Sequence, residues 1–465
     1  MNERDFAIEV VRRLREAGYQ ALWAGGCVRD ELLGLVPKDY DVASDARPEV
    51  VRQLFPRTVA VGMSFGVVEV LGPRVGERAQ TGGSASPLRV QVATFRSDVS
   101  YSDGRHPDAV VFSSAREDAL RRDFTINGMF FDPIENRLID YVGGQEDLRN
   151  RLLRAIGDPA TRFTEDKLRM LRAVRISTRF DLTIEPATAS AIRRMASQIS
   201  TGVSGERIAE ELRQLLVYPQ RHRGVNLLFD LGLAVAILPE VVSMKGLPQG
   251  LPGAPTGDLW DHVLRVLELL GPRPSFSLAF AALLHDVGKP RTMARTPDRY
   301  TFYDHEHVGA DLARDICDRL KLSGAERERV VWLVKKHQFL CAARQMRTYK
   351  LKMTLAHPGI RDLLALHRAD AAASGRSTDH VEYCERLLEE WSEADLNPPP
   401  LLGGHDLTRR GLVPGPLFKR LLDAVREAQL EGTVKTVAEA QHLVDRLLET
   451  GSHQNPTEQQ PPPSE

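Results

Sequence analysis

The sequence predicts an α+β protein, with a small mixed sheet and its helices at the N-terminal end, followed by regions built of helices alone. Three observations favour this fold class. β-type runs such as RTVAVG, GVVEVLG and LRVQVATFR all lie before residue 146, and short apolar runs of this kind are typical of strands. Beyond that point apolar side chains recur every three or four positions, which indicates amphipathic helices. Pro- and Gly-rich stretches then divide the helical part into blocks.

The chain of 465 residues is longer than one hydrophobic core usually supports, so several domains are expected. The linkers KGLPQGLPGAPTGD and LNPPPLLGGHD separate the helical blocks, and the last residues lack apolar side chains that could be buried. We predict a sheet-containing head over 1–145, an all-α neck over 146–245, an all-α block over 258–390, a short helical tail over 400–450 and a disordered end over 451–465.

The composition, with 42% hydrophobic and 27% charged residues, is typical of a soluble globular protein. The 62 basic residues against 63 acidic ones leave no global positive charge, so nucleic-acid affinity must come from local patches. The four cysteines have neither CxxC spacing nor the density of a disulfide framework, which favours a reducing compartment. No apolar signal stretch or membrane-span window is present, so we expect a cytoplasmic protein without membrane contact.

Two aspartates, Asp39 and Asp41, follow a glycine pair in the head. If KDYDVA is a strand, both carboxylates lie on one face, where they repel unless a cation lies between them. A magnesium-dependent phosphoryl or nucleotidyl transfer site needs such a pair, because hard oxygen ligands bind Mg²⁺. Gly25 and Gly26 would let backbone N–H groups approach a triphosphate, with Arg29 as a side-chain clamp. Either motif alone is more typical of a solvated strand end with a turn, but the combination favours a site.

A second cluster, RRDFTIN, runs from Arg121 to Asn127. Its arginines could hold phosphates, and Asp123 could bind a ribose hydroxyl. Considered alone, the same residues fit Arg–Asp pairing on a helix surface equally well. The cluster therefore indicates a nucleotide site only together with the acidic pair.

With both clusters in place, the sequence resembles the nucleotidyltransferases of the polymerase-β superfamily. More narrowly, it resembles the class II CCA-adding tRNA nucleotidyltransferases and the bacterial poly(A) polymerases. The resemblance covers residues 20 to about 215 and rests on motifs in the family's order: GGCVRDELLG…KDYDVA, VATFR, DGRHPDAVVF, RRDFTINGMFFDP, EDKLRMLRAVR and GERIAEEL. It implies a polymerase-β-like head that uses Mg²⁺.

The resemblance also implies roles for individual residues. Asp39 and Asp41 would hold the catalytic metals and Asp123 would recognise the ribose. Arg121 and Asn127 would lie around the nucleotide. Many relatives carry glutamate where this chain has glutamine at position 91, in QVATFR, so the implied metal ligands are the aspartate pair alone.

The third cluster, EDKLRMLRAVR, offers a way to choose bases without a template. Asp166 and Arg169 are three positions apart, so on a helix they point the same way. Cytosine and adenine each present an amine beside a ring-nitrogen acceptor, which this pair can match, whereas guanine and uracil would leave groups unpaired. The resembled family uses its EDxxR motif in this way. Without the upstream motifs, an exposed salt bridge between the two residues would be the simpler explanation.

Three further arginines continue along the same predicted helix. Arg172, Arg175 and Arg179 lie on roughly one side of it, and we include Arg172 among the nucleotide-binding candidates. Part of this stripe could contact tRNA phosphates, although a solvated helix face is the usual explanation for such charge.

The block after residue 258 carries a separate signal, because LLHDVGKP places a histidine and an aspartate side by side. Together with one upstream histidine and one downstream aspartate they match the H…HD…D pattern of HD-domain metal-dependent phosphohydrolases, and two further histidines lie where some members bind a second metal. The candidates are His262, His285, Asp286 and Asp370, with His305 and His337 for the second metal. Such ligands suit Mg²⁺ or a divalent transition metal, which would activate water for phosphoester attack. His307, His357 and His367 are interpreted as packing or surface residues.

The predicted reaction is template-independent completion of the tRNA 3′ end. The terminal 3′-hydroxyl attacks the α-phosphate of CTP or ATP and releases pyrophosphate, with two Mg²⁺ on Asp39 and Asp41. In related CCA-adding enzymes HD domains are associated with phosphatase or cyclic phosphodiesterase work on tRNA ends, so end repair is the implied purpose of the second block. The segment DGRHPDAVVF matches a lever that full CCA-adders use when they switch from C to A, which favours A addition.

Three alternatives stay open. A poly(A) polymerase, or an enzyme that adds only A or only CC, would share the head motifs. An HD phosphohydrolase with a nucleotide-sensing head, or a non-catalytic RNA-binding protein, belongs to another class. The acidic pair disfavours the last two, because RNA binding gains nothing from negative charge beside a phosphate site. The sequence does not fix the oligomeric state.

Overall fold

The computed structural model describes residues 1–62, 66–75, 86–98, 110–251 and 254–451. The predicted disordered end, from residue 452 onwards, and most of the segment DGRHPDAVVF lie outside these ranges. Contacts divide the chain into two compact units, of which the first comprises Met1–Leu247 with Asp315–Gly324 and the second comprises Pro248–Arg314 with the chain from Ala325 onwards. Among the described residues, no helix combines the length and the apolar character that a membrane crossing requires.

The first part of the chain alternates strands with short helices. Its elements are α1 (Glu3–Glu16), β1 (Ala21–Ala24), α2 (Gly26–Leu32), β2 (Asp41–Ser44), α3 (Pro48–Leu54), β3 (Thr58–Gly62), β4 (Val67–Val75), β5 (Ser86–Thr94), β6 (Arg96–Asp98), β7 (Val110–Phe112), α4 (Ala115–Leu120), β8 (Phe130–Asp132) and β9 (Arg137–Ile139). Seven strands form one sheet in the order β3-β4-β5-β2-β1-β8-β9. Only β2 and β5 pair in parallel within it. The predicted mixed sheet is confirmed.

Apolar side chains from the sheet and its helices form the core of this region. One cluster joins residues of β1, β2 and β8 to α4: Leu22, Ala24, Ala43, Phe95, Ala115, Ala119 and Phe130. Helix α4 begins at a capping box, in which the Ser114 side chain accepts from the backbone N–H of Glu117 and the Glu117 carboxylate accepts from that of Ser114. This cap fixes the start of a helix whose C-terminal end leads into RRDFTIN.

A mostly helical segment completes the first unit. Its elements are α5 (Gly144–Arg149), β10 (Leu152–Leu153), α6 (Pro159–Glu165), α7 (Leu168–Phe180), β11 (Thr183–Ile184), α8 (Pro186–Met195), α9 (Ile199–Gly202), α10 (Gly205–Leu216), α11 (Arg221–Asp230), α12 (Leu233–Ile237) and α13 (Pro239–Val242). Helix α7 buries the apolar side predicted for it, Leu168, Leu171 and Val174, and packs against α10 and α11. The parallel pair β10–β11 corrects the expectation of helices alone. Strands of two residues are too short to show a period in sequence.

The second unit begins with a hairpin and continues with helices. Its elements are β12 (Pro248–Leu251), β13 (Ala254–Asp258), α14 (Leu259–Leu269), α15 (Phe276–Leu284), α16 (Lys289–Thr292), β14 (Ala294–Arg295), β15 (Tyr300–Thr301), α17 (His305–Arg319), α18 (Gly324–Lys336), α19 (Thr348–Leu355), α20 (Ile360–Ala373), α21 (Asp379–Glu390), α22 (Glu393–Leu396), α23 (Gly404–Arg409), α24 (Pro416–Leu430) and α25 (Val437–Gly451). Helices α17 and α18 cross the boundary between the units. The Pro- and Gly-rich linker, expected as a loop, contains the antiparallel pair β12–β13.

The last three helices have an apolar cluster of their own. It consists of Leu402, Leu407, Leu421, Val425, Val434, Ala440 and Val444. Four of them recur at helical spacing, Leu421 and Val425 in α24 and Ala440 and Val444 in α25, which explains why this part of the chain folds as packed helices. The fold class predicted from the sequence is therefore confirmed, with a sheet at the N-terminal end and a mostly helical remainder.

Candidate active site

The glycine turn lies between β1 and α2, directly against an arginine. Gly25 has a φ of +75°, a conformation that L side chains rarely adopt. A Cβ added to Gly25 would also lie 2.9 Å from a terminal nitrogen of Arg122. The backbone conformation therefore favours glycine at this position, and a Cβ there would displace the end of the Arg122 side chain.

The two aspartates share one exposed face, as the two-residue period predicts. Asp39 and Asp41 are exposed, whereas Tyr40 and Val42 between and after them are buried. The Tyr40 hydroxyl donates to Glu31 at 2.8 Å and its ring packs against an indole on the opposite face. The strand itself begins only at Asp41, so Asp39 lies just before β2. The alternation of exposed and buried side chains nevertheless extends to Asp39, because the contacts of Tyr40 hold its side chain on the core side.

The negative charge of the acidic pair is only partly compensated. Asp41 opens onto a cavity but is enclosed by protein on its other sides, and this burial raises its pKa to about 6, with help from the charge of Asp39. The positive charge of Arg122 lowers the pKa only in part. Two oxygen-donor groups that repel each other beside a cavity form the environment that a hard divalent cation stabilises.

A cavity of about 520 Å³ joins all the sequence clusters of the first unit. Every residue that the sequence predicted there for metal or nucleotide binding lines it. These residues are Gly25, Gly26, Arg29, Asp39, Asp41, Arg121, Asp123, Asn127, Asp166, Arg169 and Arg172. Arg122, Arg175 and Ile176 complete the lining. The cavity thus brings together residues that are as far apart in sequence as Gly25 and Ile176.

A hydrogen-bond chain links the glycine-turn helix to RRDFTIN. Arg29 donates to the side-chain oxygen of Asn127 at 2.6 Å, and Asn127 donates to Oδ1 of Asp123 at 3.1 Å. The other carboxylate oxygen, Oδ2, lies 2.9 Å from Arg172 without hydrogen-bond geometry. Burial alone would raise the pKa of Asp123, but the charge of Arg172 and the bond from Asn127 outweigh it and lower the pKa. Asp123 is therefore an anion whose Oδ2 can accept a hydrogen bond from a ligand.

Asp118, which the sequence analysis missed, fixes both arginines of the second cluster. One of its oxygens accepts from Arg121 at 2.6 and 2.9 Å, and the other accepts from Arg122 at 2.9 and 3.1 Å. The Arg–Asp pairing that the alternative interpretation expected is therefore present, but both arginines pair with the buried Asp118 and not with Asp123. Asp118 precedes Arg121 by three residues and Arg122 by four, and this helical spacing is the signal in the sequence that could have revealed the pairing.

Asp166 and Arg169 line the same cavity, but the helical premise for them is wrong. Asp166 lies in extended conformation between α6 and α7, since its Oδ1 accepts from the backbone N–H of Leu168 at 3.0 Å. Aspartate side chains compete in this way for backbone donors and interrupt helices. Its Oδ2 accepts from Arg207 at 2.8 Å. Arg169 donates instead to Glu165 at 2.6 Å, so no salt bridge joins the predicted pair.

The arginine stripe along α7 is paired with acidic residues. Arg172 faces Asp123, and Arg175 donates to Glu211 at 2.5 Å. Arg179 lies 3.2 Å from Asp30, the residue that also accepts from Arg29. These pairs position α7 beside the cavity, and the predicted phosphate contacts of the stripe stay a prediction.

The neighbouring strands place an amide and then an acid beside Asp41. In the ladder, Asp41 of β2 is opposite Gln91 of β5, which is opposite Glu69 of β4. Gln91 is exposed on the same face as Asp41. Glu69 is buried and accepts from Arg89 at 2.8 Å. Position 91 thus holds a neutral group, one strand away from an acid.

The second unit contains two adjacent sets of metal-type ligands, which together comprise all the residues of the predicted HD site. The first set is His262, His285 and Asp370, and the second is Asp286, His305 and His337. Asp286 lies between them, with one oxygen 3.2 Å from His285 and the other 3.3 Å from His305. The latter oxygen has no hydrogen-bond partner. A single carboxylate is therefore available to both sets.

Three histidines of this centre are oriented by the backbone. His285, His305 and His337 each place Nδ1 at 2.6–2.8 Å from the carbonyl oxygen three residues earlier. This leaves Nε2 facing the centre, which is the arrangement of metal-binding histidines. Lys289, missed by the sequence analysis although it stands in HDVGKP, donates to Asp286 at 2.7 Å.

Comparison with known proteins finds family matches in both units of the chain. A family model described as Poly A polymerase head domain matches residues 21–154, one described as probable RNA and SrmB-binding site of polymerase A matches 181–244, and one described as HD domain matches 259–372. The A-adding tRNA nucleotidyltransferase of Deinococcus radiodurans is 36% identical to this chain, over 92% of this chain and 96% of that protein. Poly(A) polymerase I of Escherichia coli O157:H7 is 31% identical, over 85% of this chain and 83% of that protein.

A solved structure extends the comparison to the fold. The CCA-adding enzyme of Bacillus stearothermophilus in complex with CTP superposes with a TM-score of 0.67 at 26% identity, and covers 97% of this chain and 99% of that one. The resemblance stated from the motifs is thus confirmed over almost the whole length. The chain belongs to the nucleotidyltransferase family of the A-adding and CCA-adding tRNA enzymes and the bacterial poly(A) polymerases, and it carries an HD domain.

Proposed function

We propose that this chain completes the 3′ end of tRNA by adding C and A from CTP and ATP without a template. The observation that carries the proposal is one cavity that joins an acidic pair, a glycine turn, the two arginines that follow α4 and the arginines of α7. Relatives named for A addition and CCA addition support tRNA as the acceptor. We assign nucleotidyl transfer to residues 1–145, base recognition and RNA binding to 146–245, and tRNA contact to 400–450.

The residues around the cavity fit the transfer of a nucleotide. Asp39 and Asp41 would hold divalent metal, for which Mg²⁺ is the matching ion, because both are oxygen donors that repel each other beside the cavity. When bound there, Mg²⁺ neutralises charge that develops on the transferred phosphate. Arg121 and Arg122, both held by Asp118, would neutralise the remaining phosphate oxygens.

Other residues that line the cavity would bind the sugar and the base. Asp123 would accept a hydrogen bond from a ribose hydroxyl through the oxygen that Arg172 leaves without hydrogen-bond geometry. Asp166 would accept from the exocyclic amine of cytosine or adenine, while Arg169 would donate to the ring nitrogen. Arg207 and Glu165 hold these two side chains in place, which fixes their separation before the nucleotide arrives.

We propose that the HD domain is a metal-dependent phosphohydrolase that acts on tRNA ends. Six buried or nearly buried ligands, Asp286 and five residues around it, fit two divalent metals, which when bound would activate water for attack on a phosphoester. Lys289 and Arg299 line a cavity of about 390 Å³ that also contains His305. The two cations would neutralise phosphate oxygens of a substrate seated beside the metal ligands.

Addition of A alone is the second candidate. The relative that supports it, the A-adding enzyme of Deinococcus radiodurans, matches over 96% of its own length. Such an enzyme would accept only tRNA that already ends in CC. The two candidates therefore differ in the acceptors that they use.

The experiment that tests the proposal offers tRNA transcripts that end before CCA, after C and after CC, each with CTP, ATP, GTP or UTP. We expect C on the first two acceptors, A on the third and only traces of G or U. Incorporation of A alone, restricted to the third acceptor, would favour the second candidate. Long adenosine tails on any RNA would overturn both in favour of poly(A) synthesis.

Two variants separate the activities. Asp41→Ala is expected to abolish nucleotide addition and to spare phosphate release from tRNA ends. Asp286→Ala is expected to do the reverse, since the two residues belong to different units. If Asp286→Ala abolished nucleotide addition while the protein stayed folded, the division of labour between the units would be wrong.

A further inference from the structure

A third group of metal-type ligands lies in the second unit, apart from the six residues of the HD centre. It consists of Cys341, His367 and His380, whose ligand atoms all lie within 4.8 Å of one another. Nδ1 of His367 lies 3.2 Å from Nε2 of His380 and 4.0 Å from the sulfur of Cys341. From the sequence alone, His367 is interpreted as a packing or surface residue.

The three ligands come from separate elements. Cys341 belongs to the 3₁₀ segment Phe339–Gln345, His367 lies on α20, and His380 lies in the first turn of α21. Asp370, an HD ligand, follows His367 by three residues on α20. The group therefore joins three elements and stands one helical turn from the HD centre.

The distances fit a tetrahedral ion. With metal–nitrogen bonds of about 2.0–2.1 Å and a metal–sulfur bond of about 2.3 Å, tetrahedral angles place two nitrogens about 3.3 Å apart and nitrogen and sulfur about 3.6 Å apart. The observed separations of His367 Nδ1 are 3.2 Å to nitrogen and 4.0 Å to sulfur. A movement of a few tenths of an ångström by the exposed Cys341 would complete the geometry.

The buried histidine has the orientation of a metal ligand. His367 is 1% exposed, and its Nε2 lies 3.2 Å from the carbonyl oxygen of Lys336. A nitrogen that donates to a backbone carbonyl fixes the tautomer and leaves the other nitrogen, here Nδ1, with its lone pair towards the group. A hydrogen bond between His367 and His380 would explain their contact but not the thiol directed at the same nitrogen.

We propose that Cys341, His367 and His380 bind a divalent transition metal of the zinc and cobalt type, with water as the fourth ligand. Thiolate and imidazole are the ligands such ions prefer, and three protein ligands with one open position are a recurrent zinc arrangement. The ion ties α21 and the 3₁₀ segment to α20, the helix that carries Asp370. The site shares no ligand with the HD centre and does not depend on the proposed function.

The test uses the full chain, stripped of metal by a chelator and titrated with Co²⁺ alone. Thiolate bound to Co²⁺ gives a near-ultraviolet charge-transfer band, which the histidine and aspartate ligands of the HD centre are unable to give. We expect the band in the unsubstituted protein and in Asp286→Ala. It should vanish in Cys341→Ser, and His380→Ala should weaken Co²⁺ binding at this site by more than about tenfold.

The matched control is Cys384→Ala, which removes a buried cysteine of α21 and is expected to leave the band unchanged. Circular dichroism of each metal-free variant verifies that it is folded. Absence of the band in the unsubstituted protein, or its persistence in Cys341→Ser, would overturn the proposal. Loss of the band in Asp286→Ala would assign the thiolate to the HD centre and would equally overturn it.

Discussion

Asp118 holds two arginines of the nucleotide cavity, and its removal should therefore affect both stability and substrate binding. Its carboxylate is 2% exposed and accepts four hydrogen bonds from arginine side chains, two each from Arg121 and Arg122, whose side chains are about one fifth exposed. A fifth, longer bond of 3.4 Å comes from the backbone N–H of Arg96. Burial alone would raise the pKa of Asp118, but the charges of Arg122 and Arg121 outweigh it and lower the pKa below its ordinary value.

Asp118→Asn keeps the shape but replaces one accepting oxygen by an NH₂ donor. Two of the four charge-assisted bonds are lost, at about 1.5–3 kcal/mol each, and the arginines lose their shared countercharge. We expect the free energy of unfolding of the first unit to fall by about 3–5 kcal/mol. The KM for the nucleotide should rise several-fold, because Arg121 and Arg122 are no longer fixed.

The loss in the free energy of unfolding is measured by urea unfolding, with hydrogen exchange at amides of the first unit as the probe. Glu9→Gln is the control, because it removes one negative charge from a pair with Arg12 in which both side chains are about half exposed. Such pairs contribute less than about 1 kcal/mol. A loss in Asp118→Asn no larger than in Glu9→Gln would refute the reasoning.

The lowered pKa of Asp118 also predicts how the stability depends on pH. A carboxylate with a lowered pKa in the folded state stabilises the fold above its unfolded pKa of about 3.9, and this contribution is lost as the pH falls through the lower folded value. The gap in stability between the unsubstituted protein and Asp118→Asn should be constant from about pH 7 to 5 and should shrink below about pH 4. A gap that widens on acidification would contradict the sign of the shift.

Three further outcomes follow from the cavity. Arg207→Ala frees Asp166 and should raise misincorporation of G and U several-fold in single-nucleotide assays; unchanged selectivity would contradict its positioning role. Gly25→Ala should lower activity more than about tenfold. The control Gly18→Ala, at a similar positive φ with nothing within 4 Å, should cost only about 1–3 kcal/mol of stability. Equal activities of the two variants would show that the space between Gly25 and Arg122 matters little. Gln91→Glu adds a third carboxylate beside the acidic pair and should lower the Mg²⁺ concentration for half-maximal activity; a higher requirement would contradict this.

Local periodicity accounts for what the sequence predicted well. The alternation in KDYDVA places Asp39 and Asp41 on one face whether or not the ladder extends to Asp39. The motif order of a family also carries its tertiary arrangement, so clusters far apart in sequence could be assigned to one cavity. The same holds for the HD ligands, which come from five different elements or their ends.

Competition between side chains and backbone, and contacts between distant elements, account for the rest. Asp166 leaves the helix because its carboxylate accepts from a backbone N–H, an outcome that spacing alone does not reveal. The group around His367 combines residues 26 and 13 positions away, with no recognisable spacing motif. Two-residue strands such as β10 and β11 form only because neighbouring helices bring them together.

The most direct measurement for the whole account is a crystal structure of the full chain with Mn²⁺ in place of Mg²⁺ and a non-hydrolysable CTP analogue. The account predicts anomalous peaks within about 2.2 Å of the carboxylate oxygens of Asp39 and Asp41, beside the α-phosphate, with the cytosine edge against Asp166 and Arg169. Nucleotide bound elsewhere, or these two carboxylates turned away from every metal peak, would contradict it.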